Sequence, residues 1–60
     1  MDADKINQAI RDCLDKCMDA EDQFAAALKC LRELRRSEEW TTEEVDAVKR
    51  GLVTMLQMRQ

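Results

Sequence analysis

The sequence predicts an all-α fold, on three grounds. Its 60 residues include no Pro, no Tyr, one Gly, one Phe and one Trp. Ala, Leu, Glu, Lys, Arg, Met and Gln dominate instead, all strong helix formers, while the β-branched and aromatic residues of a sheet are scarce. Ten successive core-type positions of a seven-residue repeat are apolar in a chain that is 38% charged: Ala3, Ile6, Ile10, Cys13, Cys17, Ala20, Phe24, Ala27, Leu31 and Leu34. That spacing is the seam of an amphipathic helix. The third ground is a complete helix-start signature at Trp40, Thr41, Thr42, Glu43, Glu44 and Val45.

The first helix begins near Asp2, whose carboxylate can cap free amides, with Asp4 beside the positive end of the dipole. The outward positions Lys5, Gln8, Asp12, Asp15, Asp19, Asp22, Lys29, Glu33 and Arg36 are polar, so the pattern predicts one continuous helix over residues 2–36. At 1.5 Å per residue it would be about 50 Å long. Arg32, Arg35 and Arg36 suit its negative end. Residues 37–41 form a turn. Thr41 then caps the next helix, Glu44 completes a capping box, and Trp40 against Val45 makes a hydrophobic staple. The second helix runs over residues 42–58 with a seam of Val45, Val48, Leu52, Met55 and Leu56.

A short turn makes consecutive helices antiparallel neighbours, so the expectation is a single hairpin domain over residues 1–60, with a long helix and a half-length companion. Its core would be Phe24, Leu31, Leu34, Trp40, Val45, Val48, Leu52 and Met55, with Gly51 at a close approach on the flank. Ile6, Ile10, Cys13, Leu14, Cys17 and Met18 would then overhang without an intrachain partner. Two hairpins pairing these overhangs would give a helical bundle, a homodimer or larger. The alternative is a three-helix bundle broken near Asp19, where Asp19, Ala20, Glu21 and Asp22 look like a helix start. The unbroken repeat and the lack of Gly or Pro there favour the continuous helix.

Charge and chemistry exclude several classes. Residues 1–28 hold seven acids against three bases, whereas residues 29–60 hold six acids against seven bases. Such polarity suits antiparallel pairing and not general nucleic-acid binding, which needs a concentrated basic surface. No stretch approaches the length of a membrane span, and the opening residues lack a secretory pattern. An odd cysteine count is a poor disulfide framework, so a cytoplasmic setting is expected. Cys13 and Cys17 lie one turn apart and could present two thiolates to zinc, but with no His they read as small apolar residues, and Cys30 lies off the seam. The acidic neighbours of Cys13 and Cys17 would raise their pKa. With no His, no Tyr and no Gly-rich phosphate loop, no catalytic residue, metal or cofactor is expected.

A non-enzymatic interaction module is the function this pattern predicts, one that inhibits, escorts or regulates another protein. In size and hairpin layout the chain resembles phage-encoded inhibitors and small secretion co-chaperones or adaptors. Met18, Met55 and Met58 add adaptable apolar surface. The alternative rests on Lys29, Arg32, Arg35, Arg36, Lys49 and Arg50, a basic patch near the hairpin end. In length and layout the chain resembles the Rop-like plasmid regulators, and that resemblance implies an RNA-binding bundle with Arg32, Arg35 and Arg36 as contacts.

Overall fold

A computed structural model describes residues 2–58 as three α-helices, α1 (Ala3–Met18), α2 (Gln23–Arg36) and α3 (Thr42–Met58), with no strand among the described residues. Each helix packs on the other two. One buried cluster joins Ile6 and Ala9 of α1 to Leu31 of α2 and to Val45 and Val48 of α3. The other joins Cys13, Leu14 and Cys17 to Ala27 and Cys30 and to Leu52 and Leu56. The start of α1 therefore lies beside the end of α2 and the start of α3, an up–down–up bundle measuring 29 × 20 × 14 Å.

The continuous helix expected over residues 2–36 is broken at residues 19–22, and the three-helix alternative is the fold. Asp22 is the N-cap of α2, its Oδ1 accepting from the Ala25 amide at 3.0 Å, while Asp19 ends α1. The Ala20 amide closes the last turn of α1 onto the Cys17 carbonyl at 3.1 Å. Two physical terms favour the break. Asp is a weak helix former that gains more as a cap than in mid-helix. Folding back also buries Ile6, Ala9, Cys13, Leu14 and Cys17, at 9% exposure or less, where burying each Ile or Leu contributes about 1.5–3 kcal/mol. An unbroken repeat does not oppose this, because α1 and α2 present their seams to one shared core.

The overhang of the hairpin scheme accordingly does not exist. Ile6, Cys13, Leu14 and Cys17 are buried within the chain, Ile10 is half-buried, and Met18 is exposed. Of the residues expected in the hairpin core, Leu31, Val45, Val48 and Leu52 are buried, and Leu34 and Trp40 pack partly buried against the clusters. Phe24 and Met55 are exposed instead, because α1 takes the space beside α3 that a hairpin would have left to them. Gly51 does mark a close approach, but to a side chain: a Cβ there would collide with Cδ1 of Ile10 and meet its Cγ1 at 3.2 Å.

The cysteine reading is also corrected. Cys13 and Cys30 form a disulfide between α1 and α2, leaving only Cys17 free. An odd count hid a pair, so it no longer argues for a cytoplasmic setting. Among the described residues no helix is long and apolar enough to cross a membrane.

Candidate interaction surface

The α2–α3 turn builds one pole of the bundle. The Glu44 amide donates to Thr41 Oγ1 at 3.2 Å and the Thr41 amide to Glu44 Oε1 at 3.0 Å, the reciprocal capping box expected from the sequence. Lys5 reaches across from α1. Its Nζ donates to the Glu39 carbonyl at 2.7 Å, pairs with Glu44 Oε2 at 3.1 Å, and stands 4.4 Å from the Trp40 ring centroid. The Thr41 amide and then Lys5 hold the Glu44 carboxyl below the usual carboxylate range. Sequence reasoning placed Lys5 only on an outer face. A lone lysine gives no local sign that its partners lie 34 and 39 residues away.

The opposite pole gathers the α1–α2 turn and the end of α3. Among the described residues five large apolar side chains are exposed, Met18, Phe24, Leu28, Met55 and Met58, at 41–77%. All five belong to the half of the bundle at this pole, by the up–down–up order. Met55 lines a groove of about 590 Å³ with Ile10 and Leu14, and Met18 stands one turn beyond Leu14 along α1. Phe24 and Leu28 are one turn apart on α2 and continue the stripe of Leu31. The end of α3 is thus flanked by apolar side chains of both neighbours. Leu28 carried a signal, since it follows Phe24 by four residues, but it lies outside the strict seam.

The remaining predicted residues separate cleanly. Arg32, Arg35 and Arg36 are exposed on α2 with no ion pair among the described residues, whereas Arg50 pairs with Asp46 at 3.3 Å. Cys13 cannot serve as a thiolate while it is in the disulfide, and no group of three or more His, Cys, Asp or Glu among the described residues is arranged to hold a metal ion. Burial pushes the Cys17 thiol pKa up, so the cause is desolvation and not the acidic neighbours. A buried, protonated thiol is a poor nucleophile. No protein-family model, curated protein or solved structure matches the chain. The surface therefore has to be understood from its own chemistry.

Proposed function

We propose that this chain is a non-enzymatic interaction module that binds another protein through the pole formed by Met18, Phe24, Leu28, Met55 and Met58, and thereby inhibits, escorts or regulates it. The observation that carries this reading is that, among the described residues, all five exposed large apolar side chains belong to one half of the bundle. Apolar residues scattered singly over a surface are ordinary, whereas five confined to one half of a small bundle favour a contact there. Methionine suits such a contact because an unbranched, polarizable side chain adapts to different partners. Three of the five are methionines.

A triple variant tests the reading: Met18→Gln, Phe24→Ser and Met55→Gln. Because these side chains are exposed, each change should move stability by no more than about 0.5 kcal/mol. A protein that co-purifies with the native chain in fixed stoichiometry should be lost from the variant at equal melting temperature. Equal retention by the two chains refutes the surface. Sedimentation of both chains shows whether a second copy occupies it.

A second reading, RNA binding through Arg32, Arg35 and Arg36, is favoured only by the exposure of all three and their lack of an ion pair among the described residues. Glu33, Glu38 and Glu39 interleave with them. Reversing the three arginine charges would abolish such binding and leave the apolar pole working.

A further inference from the structure

We infer that the partner segment is a basic amphipathic helix, with large apolar anchors on one face and Lys or Arg on its flanks; this rests on the apolar pole being the binding surface. The ground is the distribution of charge around that surface. In sequence, residues 15–28 and 51–60 carry Asp15, Asp19, Glu21 and Asp22 against Lys16 and Arg59, a net −2, whereas residues 29–50 balance six acids with six bases. All four acids are exposed, and none has a cation within salt-bridge distance among the described residues. Lys16 and Lys29 line the α1–α2 face with Cys30, away from the end of α3.

Backbone dipoles add to the same sign. α1 and α3 present their carbonyl ends at this pole and α2 its amide end, which leaves a net of about half a negative charge. Farther down the α1–α3 groove the sign reverses, because Arg11 and Arg50 line its lower half. Arg11 sits seven residues below Met18, about 10 Å along the helix. A cationic helix is therefore held at the tip, across Met18, Phe24 and Met58, and is repelled from the lower groove.

A second copy fits this surface poorly. An isologous contact joins a patch to itself, which would set the acidic pole of one copy against that of another. The chain's own basic stripe, Lys29, Arg32, Arg35 and Arg36, lies along α2. Docking it on the pole of a neighbour is a heterologous contact, which builds a ring or a filament and not a two-fold dimer. A foreign basic helix meets neither obstacle. It is also the mode in which apolar anchors at i, i+3 or i+4, and i+7 give affinity while flanking charges set selectivity.

The test uses two labelled 18-residue probe peptides with one shared leucine face, one carrying lysines and the other glutamates, titrated by anisotropy. The lysine peptide should bind one to one and weaken as salt rises. Changing Asp15→Asn, Asp19→Asn and Glu21→Gln together should weaken it about tenfold, three exposed charge contacts of ordinary strength. A control with the same change in net charge, Glu38→Gln, Glu39→Gln and Glu43→Gln at the other pole, should leave affinity within about twofold. Equal weakening by both triples overturns the inference, since attraction would then be to overall charge. Equal binding of the two peptides, lost in Met18→Gln, Phe24→Ser, Met55→Gln, overturns the inference and leaves the apolar surface standing. Lysine-peptide binding that survives that variant removes the surface itself. A native chain that sediments as a dimer, and as a monomer once Met55→Gln is introduced, assigns the pole to a second copy and also overturns the inference.

Discussion

At the α2–α3 end the chain covers its aromatic ring with a lysine of its own; at the α1–α2 end the aromatic ring stays open. Lys5 serves a carbonyl, a carboxylate and a ring at once, and Trp40 is half-buried beneath it. At the other end Phe24 is 45% exposed and Met58 77%. Both ends close helices with ordinary caps, so capping does not distinguish them. The difference is in side chains that cross between helices. One pole covers its aromatic side chain, and the other leaves its large apolar side chains exposed.

The largest effect is expected where the core meets the apolar pole. Leu56 is 1% exposed, and Leu56→Ala should cost about 2–5 kcal/mol in urea unfolding, from lost transfer energy and the cavity left behind. A cost below about 1 kcal/mol would mean that this half of the bundle is loosely packed and that the contrast between the poles is one of order, not of surface. Next comes the Cys13–Cys30 link, which closes a separation of 17 residues. Reducing it should lower stability by about 3 kcal/mol through the freedom returned to the unfolded chain. Because both cysteines belong to the cluster of the apolar half, hydrogen exchange should rise first in the last turns of α1 and the first of α2. Exchange rising first near Trp40 would invert the comparison.

Smaller effects probe the α2–α3 pole. Thr41→Ala removes the acceptor of the Glu44 amide and should cost about 1 kcal/mol, read as a lower urea midpoint at unchanged slope. Glu44 gives a pH signature. Its folded-state pKa is lowered, first by the Thr41 amide and then by Lys5. The stabilisation is therefore fully present above the ordinary carboxylate range and is lost as pH falls through that range to the lowered folded value. Glu44→Gln should flatten the acid limb of the stability profile while leaving the loss of Trp40 burial on unfolding as the optical signal. An acid limb unchanged in that variant would show that Lys5 and Thr41 do not hold the carboxylate in solution.

The helical class and the start of α3 are legible from composition and from Trp40–Val45, because capping is a local event among six neighbouring residues. The break at residues 19–22 is harder, and its geometry says why. Asp19 turns the chain at φ −94° and ψ 1°, and no described residue has a positive φ. A turn built that way needs no Gly, so a missing Gly carries no information. Everything misjudged follows from that one segment. With α1 detached, Cys13 can meet Cys30, the presumed overhang becomes core, and Phe24 and Met55 lose the places a two-helix register gives them. The exposed pole is not legible before the break is known, since Met18, Leu28 and Met58 fall in the same half of the molecule only when three helices are stacked.

The odd number of helices has a practical side. With three passes, α1 starts and α3 ends at opposite ends of the bundle. Whatever is tethered beyond Met58, be it an affinity handle, a fluorophore or a fusion, sits over the greasy tip and shades it. The same cargo attached ahead of Asp2 hangs from the far side, by Lys5 and Trp40, and leaves the tip open to visitors.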